Sequence, residues 1–217
     1  MVRRKAQLLP EPQGPRAGRA GSGPLLRVLI AGDSSAAGVG VATQDQALSG
    51  RIVAGLAHDF TVDWRLEATT GHTTRDALDR LLRLEDRFDV AVTALGVNDV
   101  TRGRSCGKFT AQQHALLAHL TGPLQARCVV VSGVPQMERL PALPQPLAWV
   151  LGQQAARLDA GLQRVAEGFP QAHHLSTELP DEPGMAAPDG YHPSSRLYDL
   201  WANQIVQIIR DQARARN

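Results

Sequence analysis

Between Leu25 and the C-terminus, short apolar runs of strand type alternate with segments of helical period, and this alternation limits the fold more than any other feature. Five runs are predicted as strands: Leu25–Ala31, Phe60–Ala68, Phe88–Leu95, Cys128–Ser132 and a short one at His173–Leu175. Between them, Leu48, Ile52, Val53 and Leu56 share one helical face, and Ala77, Leu78, Leu81 and Leu82 form a second stripe behind a cap at Thr73 or Thr74. Leu116, Leu117 and Leu120 mark a third helix, and Leu147, Leu151, Ala155, Leu158, Leu162 and Val165 mark a long fourth one. The last helix, Ser195 to about Arg214, is expected to bury Leu197, Leu200, Trp201, Ile205 and Ile208. Strands that alternate with helices make a parallel sheet covered on both faces, because right-handed crossovers return each strand in the same direction. All C-terminal strand ends then share one edge, where α/β folds place their ligand sites. Periodicity alone establishes α/β and no finer architecture.

A chain of 217 residues suffices for one domain with a sizeable core and is short for two. Residues 1–24 stand apart in composition. They carry Arg3, Arg4, Lys5, Arg16 and Arg19 against Glu11, together with Pro10, Pro12, Pro15, Pro24 and several glycines, and they read as a flexible basic leader before a domain at 25–217. The leader lacks the apolar h-region of a secretory signal, and no stretch of the chain reaches membrane-spanning length. Its charges are not interleaved with aromatics or set along a helix face, so a nucleic-acid partner is not expected. With Cys106 and Cys128 as the only cysteines, a disulfide framework is not expected and the cytoplasm is the expected compartment.

Three segments carry the chemistry. Gly32-Asp33-Ser34 lies where the first strand turns toward a helix, which sets the Ser34 hydroxyl and its N–H at the sheet edge. Taken alone, Asp33 or Ser34 also serves as an ordinary helix cap. Serine needs a base that is itself oriented by a third group, and Asp189 and His192, three apart between Pro188 and Pro193, have the right types and spacing. Taken alone, Asp189 is equally a cap for the helix that follows. Asn98, in Gly96-Val97-Asn98-Asp99 after the third strand, offers a side-chain amide to a tetrahedral oxyanion, and Gly71 after the second strand offers an N–H free of a Cβ. Gly71 also suits any turn that needs a positive φ. Asp99 reads as a helix cap.

The order Ser, Asn, Asp, His in these blocks resembles the SGNH (GDSL-like) hydrolase family, over roughly Leu25 to the last helix. The resemblance implies a three-layer α/β/α sandwich, flavodoxin-like, with five parallel strands in the order 2-1-3-4-5. It implies Ser34, Gly71, Asn98 and His192 as the four namesake positions. Asp-Gly-Tyr-His-Pro-Ser at 189–194 looks like the family's last block, which makes His192 the base and Asp189 its orienter. Ser35 stands where family members often have Leu, which leaves Ser35 as a remote second nucleophile.

The expected activity is hydrolysis of small-molecule carboxylic esters or thioesters through a Ser34 acyl-enzyme, with no cofactor and no metal. Acyl transfer to an alcohol would use the same site. A different class is a flavodoxin-like protein that cradles a flavin phosphate in Gly32-Asp33-Ser34-Ser35-Ala36-Ala37-Gly38. The histidines show no metal-ligand spacing: His114 and His119 are five apart, and His173 and His174 point to opposite sides of a strand. His72 is expected to be solvent-exposed, and Cys106 has no histidine tied to it. Apolar residues from Met137 to Trp149, interleaved with prolines, read as a loop at the catalytic edge, with Leu140 and Leu143 as candidate acyl-binding residues.

Overall fold

In the computed structural model, which describes residues 9–177 and 182–215, one sheet runs through the centre of the molecule. Its strands are β1 (Ala17–Ala20), β2 (Leu25–Gly32), β3 (Thr61–Ala68), β4 (Val90–Ala94), β5 (Cys128–Ser132) and β6 (Ala172–Leu175), in the order β1-β3-β2-β4-β5-β6. From β3 to β6 all pairings are parallel. This is the expected flavodoxin-like order with one strand added. The helices are α1 (Ser34–Ala37), α2 (Leu48–Leu56), α3 (Thr74–Leu81), α4 (Val97–Thr101), α5 (Cys106–Thr121), α6 (Leu147–Glu167) and α7 (Ser195–Arg214).

Alternation along each strand divides the core in two. Leu29, Ala31, Ala91, Val129 and Val131 face α3, α5 and α6, where Leu81, Phe109, Leu117 and Leu158 are fully buried. Val28, Ile30, Val92 and Val130 face the other way, onto Ile52 and Leu56 of α2 and Tyr198, Ile205 and Ile209 of α7. Strands buried on both faces explain why β4 and β5 are apolar except at Thr93 and Ser132. The pairing register also levels the C-terminal ends: Gly32 lies opposite Ala68 and Ala94, Ala94 opposite Ser132, and Ser132 opposite Leu175. Loops leaving β2, β3, β4 and β5 therefore start at the same height.

Two expectations need correction. The sheet has six strands, because Ala17–Ala20 pairs antiparallel with β3. Its sequence, Ala-Gly-Arg-Ala, has no alternating apolar pattern; the pairing is available because β3 would otherwise be an open edge. Residues 9–24, expected to be loose, thus lie against the domain, while residues 1–8 fall outside the described residues. Secondly, α7 buries Tyr198, Ala202, Ile205, Val206 and Ile209, leaving Leu200 43% exposed and Trp201 half-buried. The helix has two apolar stripes, and the sheet takes the one that contains Tyr198, Ile205 and Ile209. Among the described residues no helix is long and apolar enough to cross a membrane.

Candidate active site

β2 delivers Ser34 to the levelled edge through a close approach at Gly32, where a Cβ would collide with the Ala94 carbonyl and the Ala36 side chain. The Asp33 N–H donates to the Ala94 carbonyl at 3.1 Å, which fastens the turn to β4. The Asp33 carboxylate then caps α1 by accepting the Ser35 N–H at 3.0 Å. Ser34, 8% exposed, is left facing a cleft of about 1090 Å³.

The facing loop is folded around Asp189. Its Oδ1 accepts the N–H groups of Tyr191 and His192, each at 3.0 Å, and its Oδ2 lies 2.5 Å from His192 Nδ1. His192 Nε2 stands 3.0 Å from Ser34 Oγ. Burial works to raise the Asp189 carboxyl, but the hydrogen bonds from the His192 ring and from the two backbone N–H groups outweigh it and hold the group below its ordinary value. Tyr191 packs edge-on against the His192 ring at 5.3 Å, and its phenol is pushed up to about 12 by burial, with the Asp33 and Asp189 charges adding to the shift. The N-cap of α7 is Ser194, whose Oγ accepts the Leu197 N–H at 3.3 Å, so Asp189 is not that helix's cap. Backbone bonds from Ala187 to His192 and from Ser194 to Met185 pin the loop, and Gly190 accepts the Ala142 N–H of the Pro-rich loop.

The other candidates divide. Asn98 Nδ2 donates to the His72 carbonyl at 3.0 Å and to Asp33 Oδ2 at 3.3 Å, so the amide is fixed between two loops of the edge. Asp33 itself is pushed up to about 7: burial dominates, the Ser35 N–H opposes it, and the nearby Asp99 charge adds to the rise. Asp99, in the first turn of α4, accepts both the N–H and the hydroxyl of Thr74, so it caps α3 and not its own helix. Gly71 has φ +85° in the turn after β3, the turn whose His72 carbonyl accepts from Asn98. Leu140 lines it, whereas Leu143 packs on the core cluster under α6 and is corrected to a packing residue. Met137 is fully buried and anchors the Pro-rich loop, while Trp149, expected in that loop, lies in the first turn of α6 and is 61% exposed.

Ser35 donates its N–H to Asp33, and the His192 ring is directed at Ser34, which leaves Ser35 without a base. The flavin alternative also fails on geometry. α1 has four residues, and the Asp33 carboxyl already occupies the Ser35 N–H that a phosphate would need. His72 is half-buried, not exposed as expected. What sequence reasoning missed is the contribution of α7, whose Leu197, Leu200, Trp201, Asn203 and Gln204 line the same cleft as Ser34 and Leu140. Its signal was present in the second apolar stripe of α7.

The sequence profile of the GDSL-like Lipase/Acylhydrolase family matches residues 30–200, a span that includes Ser34 and His192. The chain is 31% identical over 199 residues to the GDSL-like esterase Rv1075c of Mycobacterium tuberculosis. That alignment covers 86% of this chain and 62% of the relative, so the chain spans about three-fifths of that protein's length. Among solved structures it is similar to TesA, with TM-score 0.68 and 20% identity over 85% of this chain and 98% of that one. It is also similar to Axe2, an acetylxylan esterase from Geobacillus stearothermophilus, with TM-score 0.67 and 16% identity over 87% of this chain and 95% of that one. At these identities the structural likeness is one of fold.

Proposed function

The chain belongs to the GDSL-like lipase/acylhydrolase family, and from that premise we propose that it is a serine hydrolase that cleaves carboxylic esters or thioesters through an acyl-enzyme on Ser34. The observation that carries this reading is the unbroken series from Ser34 Oγ to His192 Nε2 at 3.0 Å and from His192 Nδ1 to Asp189 Oδ2 at 2.5 Å. His192 Nε2 accepts the hydroxyl proton as Ser34 Oγ bonds to the acyl carbon, and the carbonyl π pair moves onto oxygen. Asp189 holds the ring orientation and stabilises the imidazolium that results.

The oxyanion donors in this reading are the N–H groups of Ser34 and Gly71 and the Asn98 amide. Asn98 would turn to the oxyanion the hydrogen of its longer bond, the one to Asp33 at 3.3 Å. Collapse of the tetrahedral species breaks the bond to the leaving alcohol or thiol, which takes the proton from His192. Water then repeats the sequence on the acyl-enzyme and regenerates Ser34. The cleft size and its apolar walls at Val97, Leu140, Leu197 and Leu200 suit a small-molecule substrate with an acyl chain.

A fluorophosphonate probe tests the reading directly. It should label wild-type protein at Ser34 and fail to label Ser34→Ala, and a panel of p-nitrophenyl esters should be hydrolysed only by the wild type. Labelling that persists in Ser34→Ala and vanishes in Ser35→Ala would overturn it. Products analysed with and without an added alcohol separate hydrolysis from acyl transfer.

A further inference from the structure

The turn that leaves β3, Thr69–His72, carries Gly71 and is held by side chains from four directions. From the N-terminal segment, Glu11 Oε1 accepts the Thr70 N–H at 2.7 Å and the Thr70 hydroxyl at 2.8 Å. Glu11 Oε2 accepts from Arg16 Nη1 at 3.0 Å, and Arg16 Nη2 donates to the Ala68 carbonyl at the end of β3. Arg80 of α3 donates to Thr69 Oγ1 at 3.0 Å. Arg102 donates to the Gly71 carbonyl at 2.8 Å, and Asn98 to the His72 carbonyl at 3.0 Å. Packing contributes little at the glycine: a Cβ added to Gly71 would meet nothing within 4 Å, and its φ is +85°. The course of this turn is therefore set by hydrogen bonds, and at Thr70 by Glu11.

We infer that Glu11, which lies before the family-matched region 30–200, is a positioning residue for the oxyanion hole, fixing the turn that presents the Gly71 N–H and meets the Asn98 amide. The inference rests on the reading of Gly71 and Asn98 as oxyanion donors. Oxyanion donors act only when placed about 2.7–3.1 Å from where the charged oxygen will be. A carboxylate that accepts two bonds from one residue is a strong restraint on that placement. Burial of Glu11 is outweighed by its bonds to Thr70 and by Arg16, which keep its carboxyl below the ordinary value, so it acts as an ionised acceptor throughout the neutral range.

The test is steady-state kinetics of full-length Glu11→Ala, Glu11→Gln, Thr70→Val and Arg19→Ala, each below its own unfolding temperature, together with binding of a trifluoromethyl ketone. That inhibitor adds Ser34 Oγ to its carbonyl and carries the oxyanion in the adduct. Glu11→Ala should lower kcat roughly tenfold or more, short of the about 10²-fold that a misplacement of about 1 Å can cost, with KM within about twofold. Its inhibitor affinity should fall by the same factor as kcat. Glu11→Gln, which keeps the acceptor oxygen, should restore most of kcat, and Thr70→Val, which loses only the hydroxyl donor and keeps the fold, should move kcat and inhibitor affinity in the same direction by a smaller factor. Arg19 lies on the same segment but pairs with Asp63 at 3.0 Å, away from the turn; Arg19→Ala should leave both readouts unchanged. Wild-type kcat and inhibitor affinity in Glu11→Ala and Thr70→Val, with only thermal stability lowered, would overturn the inference while Ser34→Ala remained inactive. Retained activity in Ser34→Ala would instead overturn the functional reading on which it rests.

Discussion

Two half-buried Asp–His pairs sit near the C-terminal edge of the sheet, and they differ in what each leaves open. In the first, the Asp189 carboxylate spends Oδ1 on two backbone N–H groups and Oδ2 on His192 Nδ1 at 2.5 Å, so the far nitrogen of the ring is directed at Ser34 Oγ. In the second, a single oxygen of Asp159 receives both the His174 ring at 3.0 Å and the Val134 N–H at 2.7 Å. Among the described residues no hydroxyl is hydrogen-bonded to that pair; its product is the fixed course of Gly133-Val134, where a Cβ on Gly133 would lie 2.6 Å from Asp159 Oδ1 and 3.1 Å from His174 Nε2. An acid beside a histidine is therefore no evidence of catalysis by itself. The third group decides, at Ser34 for one pair and at a backbone N–H for the other.

The largest expected effect separates the two pairs. Asp189→Asn should reduce kcat/KM by about 10⁴-fold, since the ring loses its orienting acceptor and its partner for the imidazolium charge. Asp159→Asn should leave kcat within about threefold, because it touches no reacting atom. Esterase assays of both variants, normalised by active-site titration, check this, and comparable losses in kcat would break the distinction.

The difference between the pairs also marks how far the sequence could be read. Asp189 and His192 are three apart in one loop, so spacing suggested their association and the resemblance of the 189–194 block assigned it. Asp159 and His174 lie on α6 and β6, and adjacent histidines on a strand reveal which side each faces but not what waits there. The same limit applies to larger elements. β5 is found at Cys128–Ser132 as expected, because the apolar run Cys128–Val131, buried on both faces, is its own signal. β1 carries no such signal, since Gly18 lies against Trp64 and its pairing depends on the open edge of β3. The Glu11–Thr70 contact, across 59 positions, likewise exists only once that strand has paired. For α7, two stripes fit the helical period equally, and only the fold decides that Leu197 and Leu200 border the cleft.

A third carboxylate sharpens the comparison by lacking a histidine altogether. Asp33 lies deeper in the protein than Asp189, and burial pushes it up to about 7, while the bonds that Asp189 accepts hold it low. The unfolded group has its ordinary value near 3.9, so between about 4 and about 7 the folded protein binds the extra proton. The contribution of Asp33 to stability is therefore fully present below the unfolded value and is lost as pH rises through the folded one. Asp189 has the opposite sign: its contribution is present at neutral pH and is lost only as pH falls through its depressed value. Thermal unfolding of wild type from pH 5 to 7.5 should accordingly show a decline relative to Asp33→Asn, which cannot ionise. Parallel profiles for the two proteins would mean that Asp33 is already ionised in the fold at pH 5.

The smallest effect belongs to the second pair. Asp159→Ala strips the Val134 N–H and the His174 ring of their common acceptor, and leaving a partly buried donor unpaired costs about 1–3 kcal/mol. Gly133 lines the cleft and Thr177 donates to its carbonyl at 2.8 Å, so the same loosening reaches the substrate wall without touching Ser34. Urea denaturation should report the lost stability, and ester kinetics should report a modest rise in KM with kcat retained. His174→Ala removes the ring but leaves Val134 bonded to Asp159, and it should cost less than Asp159→Ala on both measures. If His174→Ala proves the more damaging of the two, the ring and not the backbone bond is what Asp159 is there to hold, and the contrast with Asp189 narrows to the presence of Ser34.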